Sequence, residues 1–317
     1  MIRYRTFLNT DAPALVPLWN RQSGRRPLML PLTLTLLEEC VFGKPFFDRR
    51  GFLVAEVDGG VAGFAHAGLG VSADGSGLST EAGAVYLVVV GEAPRHEAIA
   101  RGLLEQAEAY LIGRGVRTLW AGCVQPAHGF YLGLYGGSEA PGVLESDAAS
   151  LALFRSAGYT EVDQHLVLQR KLAGFRPLVD RQQLQLRRQF HVETEADPPC
   201  ASWWEAWTMG PFDRVRHRLF QRGEGTACGS VLTWGRERLV GDSDANATGL
   251  MELWIRDDLQ GRGLGTFLVG EVLRAAQGNG VSLAEIQTQE DNSAALSLFR
   301  KLGFQQVDRG WIMCKNV

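Results

Sequence analysis

Residues 249–292 read GLMELWIRDDLQGRGLGTFLVGEVLRAAQGNGVSLAEIQTQEDN, and the order of elements in that stretch decides the fold. The apolar run 250–255 predicts a strand, the glycine-rich segment 260–265 a sharp turn, and the periodic run 266–277 a helix. Gly261, Gly263 and Gly265 leave backbone N–H groups uncovered by side chains, with Arg262 and Leu264 between them. At a helix start those donors and the positive end of the helix dipole converge on an anion, so the turn reads as a cradle for a pyrophosphate. A P-loop is excluded because no lysine follows Gly265, and a dinucleotide fold because this turn comes after several strands rather than after the first.

Beyond the helix lie a second apolar strand over 281–288, a helix start at Asp291 and Asn292, and the run AALSLFRKLGF over 294–304, closed by Gly303. This order resembles the GNAT superfamily of acyl-CoA-dependent N-acyltransferases. Gln260, Gly263 and Gly265 match its Q/RxxGxG/A motif; Asn292, Ala295, Leu298, Gly303 and Phe304 match the motif that follows. The resemblance implies an α/β (α+β) fold, with a mixed, mostly antiparallel central sheet flanked by helices, and acetyl-CoA as co-substrate. It places cofactor contacts at Leu253, Trp254, Ile255, Gln260, Gly261, Arg262, Gly263, Leu264, Gly265, Asn292 and Phe299, with pantetheine lying between Leu253–Ile255 and the next strand at Glu285–Gln287.

The same pattern occurs twice. Residues 2–20 parallel 190–207, 51–67 parallel 217–234, 83–111 parallel the cradle and its helix, and 148–159 parallel 293–304. The expected layout is an N-terminal GNAT-like domain over 1–172, a linker over 173–189 and a C-terminal domain over 190–317, similar to the paired domains of the mycothiol synthase family. The first copy carries an inserted loop near 125–145, rich in Gly and aromatics, which reads as a lid or an interdomain contact. Its own cradle is degenerate: Arg95 falls at the Gln260 position, with Ala98 and Ala100 where the second copy has Gly263 and Gly265.

Acyl transfer to an amine needs a base, an oxyanion donor and an outlet for the thiolate. Glu252 is the candidate base, because strand alternation places it on one face with Leu250 and Trp254. Gln287 stands where some family members carry a glutamate, and an amide there orients but cannot deprotonate. Many members have a tyrosine where this chain has Phe299, so the proton for sulfur must come from elsewhere, such as Tyr131 or Tyr135 of the inserted loop, or not be needed. Of Trp203, Trp204 and Trp207, on the first helix of the second copy, Trp204 is the candidate substrate contact. Cys123, His66 and His128 are weaker candidates for a site in the first copy.

At 317 residues, 45% hydrophobic and 21% charged, the chain suits two globular domains. Net charge −3 with scattered basic residues lacks the footprint of a nucleic-acid binder and disfavours a Fem-like aminoacyl transferase acting on tRNA. Five widely spaced cysteines without CxxC pairs argue against a disulfide framework or a zinc site. The N-terminus lacks a signal-peptide core and no window reaches the length of a membrane span, so a cytoplasmic monomer or homodimer acting on a small-molecule or peptide amine is expected. The alternative is a non-catalytic acyl-CoA-binding or regulatory protein with the same fold.

Overall fold

A computed structural model describes residues 1–26, 28–125, 127–240 and 246–317. Along the chain run β1 (Ile2–Thr6), α1 (Ala12–Ser23), α2 (Leu34–Leu37), β2 (Phe52–Val57), β3 (Gly60–Val71), β4 (Leu78–Val90), α3 (His96–Gly113), β5 (Thr118–Ala121), β6 (Val143–Leu144), α4 (Ala148–Ser156) and β7 (Thr160–Lys171). Then follow α5 (Arg181–Gln189), β8 (Phe190–Ala196), α6 (Trp203–Thr208), β9 (Arg214–Gln221), β10 (Ala227–Gly235), α7 (Glu237–Val240), β11 (Ala247–Ile255), α8 (Leu264–Gly278), β12 (Leu283–Gln289), α9 (Ser293–Lys301) and β13 (Gln305–Asn316).

Two compact units result, and neither is a continuous half of the chain. The first comprises Met1–His165, Ala201–Met209 and Arg309–Val317; the second comprises Leu166–Cys200 and Gly210–Asp308. The first unit's sheet has the order β1-β2-β3-β4-β5-β13, antiparallel except for the parallel pair β4–β5. Its last strand comes from the end of the chain: Met313 faces Ala121, Cys314 faces Trp120 and Asn316 faces Thr118. The second unit's sheet has the order β8-β9-β10-β11-β12-β7, with β8 to β11 antiparallel and β11–β12 parallel.

The contact boundaries therefore differ from linear ones at 172 and 190. Strands β7 and β13 each pass from one unit into the other, and the 173–189 segment is not a bare linker. It holds α5, capped by Asp180, whose Oδ1 accepts from Gln183 N at 2.7 Å, and it buries Leu186 in the second unit's core.

Each unit packs its long helix on an apolar sheet face. In the first, α3 buries Ile99, Leu103, Leu104, Ala107 and Leu111 against Ala55, Ala65 and Val85. In the second, α8 buries Phe267, Leu268, Val272 and Leu273 with Val231, Leu250 and Ile286. The short helices α4 and α9 repeat one design: a side-chain cap (Asp147 Oδ1 from Ser150 N, 3.1 Å; Asn292 Oδ1 from Ala295 N, 3.0 Å), a buried phenylalanine (Phe154, Phe299) and a left-handed glycine one turn on (Gly158, Gly303).

The 125–145 insertion is core, not lid. Apart from Pro126, which lies outside the described residues, its aromatic and aliphatic side chains turn inward. Phe130, Tyr131, Leu134 and Tyr135 are buried, Phe130 packs edge-on to Tyr86 at 5.0 Å, and Tyr131 stacks on Trp19 at 5.5 Å. Helix α6 also departs from expectation. It packs on the first unit, where Trp204 (3% exposed) stacks on Phe46 at 4.5 Å and its Nε1 donates to His128 Nε2 at 3.3 Å. Trp203 and Trp207 are the exposed pair, at 37% and 41%. In a six-residue helix with three tryptophans the apolar stripe has no unique phase, so the sequence could not say which of them faces inward.

Candidate functional site

The second unit's sheet opens at its centre. β11 pairs with β12 from Ala247↔Leu283 to Leu250↔Ile286, and the ladder ends there although β11 continues to Ile255 and β12 to Gln289. On its other edge β11 bulges: Met251 faces Leu232 while Trp254 faces Ser230, one residue more than the partner strand. The excess is taken up at Glu252, whose φ of 54° lies in the left-handed region, a strain of roughly 1–3 kcal/mol for a residue other than glycine. The bulge breaks the alternation expected for this strand, so Leu250 is core while Glu252 and Trp254 are exposed.

Beyond the bulge, Leu253, Trp254 and Ile255 form one wall of an open groove of about 800 Å³. The cradle is its floor. Gly261 (φ 74°) and Gly263 (φ 80°) turn the chain left-handed into α8, and Gln260 braces the turn, its Nε2 donating to Ile255 O at 3.0 Å and Asp257 Oδ1 at 2.9 Å. The helix ladder begins with Phe267 N donating to Gly263 O at 3.0 Å. The amides of Leu264, Gly265 and Thr266, which precede that first bond, therefore lack helical acceptors, and all three residues line the groove. A Cβ on Gly265 would lie 2.6 Å from Leu298 Cδ1, so Leu298 of α9 packs directly over the start of α8 and would have to shift for any larger residue there. Arg262 is exposed on the turn, its carbonyl accepting from Gln182 Nε2 at 3.1 Å, and Gln182 also flanks Gly263. Nothing in the basic run 181–189 had marked Gln182 as part of the cradle.

The opposite wall is α9. Asn292, Ala295, Leu298 and Lys301 face the groove at intervals of three residues. Phe299 does not: it is 2% exposed and packs edge-on to Phe304 at 5.4 Å, inside the core with Leu296 and Leu302. The expected cofactor contact at Phe299 is thus corrected to a core role, set by helical phase.

Among the acidic candidates, Glu252 is 49% exposed and its Oε2 accepts from Arg216 Nη1 at 2.7 Å. Glu285 is fully buried and structural, with Oε2 accepting from Gln169 Nε2 at 2.7 Å and Arg236 Nη1 at 3.3 Å. Gln287 is buried on the same strand.

The first unit has the same parted strands, β4–β5 pairing only from Ala82↔Thr118 to Val85↔Ala121, but no equivalent cradle. Helix α3 starts at His96, capped by Arg95 in the left-handed region (φ 69°), so Arg95 stands where Gly263 stands rather than where Gln260 does. Ala98 and Ala100 lie inside the helix, and the glutamine position is missing from the shorter connection. The cleft is filled by the insertion. His66 Nδ1 lies 2.9 Å from Tyr131 Oη, and complete burial pushes the His66 pKa down to about 3 and Tyr131 well up. Tyr135 donates to Asp147 Oδ2 at 3.2 Å, and burial raises its pKa too. Cys123 Sγ donates to Phe130 O at 3.1 Å, with its thiol pushed up to about 12 by burial. All four groups are buried, and the Cys123 thiol stays protonated where a nucleophile would be a thiolate. Among the described residues no group of His, Cys, Asp and Glu suits a metal ion, and no helix is long and apolar enough to cross a membrane.

The family model described as Acetyltransferase (GNAT) family matches residues 19–134 and 182–304. An uncharacterized N-acetyltransferase of Methanocaldococcus jannaschii is 30% identical over 69 residues, which are 21% of this chain and 30% of that protein's length. Among solved structures, a tandem GNAT protein from the clavulanic acid biosynthesis pathway matches at TM-score 0.68 and 15% identity, covering 100% of this chain and 98% of that one. A GCN5-related N-acetyltransferase from Sphaerobacter thermophilus matches at TM-score 0.63 and 16% identity, covering 99% and 95%.

Proposed function

Because the chain belongs to the acetyltransferase (GNAT) family, we propose that its second unit transfers an acetyl group from acetyl-CoA to a primary amine on a small molecule or peptide. The observation that carries this reading is the meeting, in one groove, of free helix N-terminal amides and a bulged strand that has parted from its neighbour. Acetyl-CoA bound there supplies a thioester carbonyl for attack and a thiolate as leaving group.

The chain's own residues divide the remaining work. The amides of Leu264, Gly265 and Thr266 receive the pyrophosphate. Backbone N–H groups of 253–255 that point away from β10, on the edge where β11 has parted from β12, serve as preorganised donors to the oxyanion. Glu252 accepts the amine proton, directly or through water, on the carboxylate oxygen that Arg216 leaves open. No tyrosine lines the groove among its described residues, so the thiolate departs unprotonated, which a thiol pKa near 8.5 permits. The first unit, its cleft filled, is scaffold.

Calorimetric titration with acetyl-CoA tests this, repeated on Gly261→Asp. A Cβ at Gly261 meets nothing within 4 Å, and Asp is among the residues that enter the left-handed region most readily, so the variant puts a carboxylate into the cradle with no steric clash and a backbone strain of about 1 kcal/mol. One site, lost in the variant, together with CoA release in an amine screen, supports the proposal. Two sites would restore a role to the first unit; no binding would end the acetyl-CoA reading.

A further inference from the structure

Three charged side chains line the groove: Arg256, Asp257 and Lys301. Two are engaged. Arg256 donates from Nε and Nη2 to Asp258 at 2.7 and 3.2 Å and lies 3.8 Å from Glu224, while Asp257 Oδ1 accepts from Gln260 at 2.9 Å. Lys301 is exposed and has no hydrogen bond or ion pair among the described residues.

Its place along α9 gives that charge a meaning. Asn292 follows the end of β12, beyond the point at Ile286 where the strands part; Leu298 abuts Gly265 at the cradle; Lys301 stands one turn past Leu298, about 4.5 Å farther along the axis. The covalent order of an acyl-CoA is thioester, pantetheine, pyrophosphate, 3′-phosphoadenosine. With the thioester at the parted strands and the pyrophosphate on the cradle, the nucleotide's 3′-phosphate falls on the Lys301 side. Resting on the acetyl-CoA reading above, we propose that Lys301 is the residue by which the groove recognises the 3′-phosphate. The donor is then a free coenzyme A thioester rather than an acyl group on a carrier protein's phosphopantetheine arm, which ends without a nucleotide. Arg262, the competing cation, sits on the turn outside the groove's lining.

Calorimetric titration of the full chain with coenzyme A and with 3′-dephospho-coenzyme A decides the matter, using wild type, Lys301→Ala, Lys301→Arg and Arg262→Ala. Wild type should bind coenzyme A about tenfold more tightly than the dephospho form, the scale of one charge-assisted phosphate contact. Lys301→Ala should bring that ratio near one by weakening coenzyme A alone, Lys301→Arg should restore most of it, and Arg262→Ala should leave the ratio intact. A ratio unchanged in Lys301→Ala, or lost in Arg262→Ala instead, overturns the assignment. Equal binding of both ligands by wild type overturns this inference alone, whereas binding of neither overturns it together with the acetyl-CoA reading.

Discussion

Replacing Met313 by alanine, close to the C-terminal end, should loosen the N-terminal unit and spare the C-terminal one. Met313 is fully buried in the first unit's core beside Leu119, Ala121 and Val143, on the strand that completes that unit's sheet. Truncating a buried methionine to alanine costs about 2–5 kcal/mol, against a total stability of roughly 5–15 kcal/mol for an ordinary domain. At 1.4 kcal/mol per factor of ten, the open population rises by about 30-fold to several thousand-fold. Native-state amide exchange read by peptide mass should show protection lost together from β2, β3, β4 and α3, which share that core, while β11, α8 and β12 keep theirs and acetyl-CoA affinity holds. Loss confined to residues 210–308, or no loss anywhere, would refute the exchange of the terminal strand between units.

Glu252→Gln should lower kcat by about 10²- to 10⁴-fold; an unchanged kcat would remove Glu252 from the base role. Glu252→Gly should relieve the left-handed strain and raise the second unit's unfolding free energy, measured by urea titration, by up to about 1 kcal/mol while abolishing turnover, since the partly exposed pair with Arg216 that it loses is of small worth. Burial holds the His66 pKa near 3, so the unfolded chain takes up a proton that the folded chain refuses. Its stabilisation is complete above the ordinary value of about 6.5 and falls by about 1.4 kcal/mol per pH unit as the pH drops from there toward 3. His66→Asn should flatten that slope for the first unit; urea midpoints that still diverge between pH 7.5 and 4.5 as in wild type would argue against it.

Much of the site was legible because its residues act locally. A glycine-rich turn ahead of a helix, an asparagine cap and a closing glycine each carry their own short-range signal, so the turn over 260–265 and the cap at Asn292 were legible as local structure, while their contact with acetyl-CoA belongs to the proposal. The family resemblance puts Phe299 on the cofactor, whereas the spacing of Leu296, Phe299 and Leu302 marks one inward stripe and leaves Leu298 and Lys301 on the other face. The bulge at Glu252 has no signature in an otherwise regular apolar strand, and it shifts every side chain beyond it. The terminal strand exchange was invisible for a different reason: a strand's alternation reports that one face is buried, not which sheet receives it. The aromatic insertion did carry a clue, since Phe130, Tyr131, Leu134 and Tyr135 are too apolar together for a solvated loop.

That insertion makes the two units respond differently to their surroundings. A cleft that awaits a ligand gains stability from it as RT ln(1 + [L]/Kd), so on the proposed reading the second unit's melting temperature climbs with acyl-CoA concentration. The first unit has Phe130 and Tyr131 in the corresponding space, a permanent occupant supplied by its own chain, and its stability is indifferent to that pool. On that reading, acyl-CoA depletion would lower the stability of the second unit alone, and the first would keep its own.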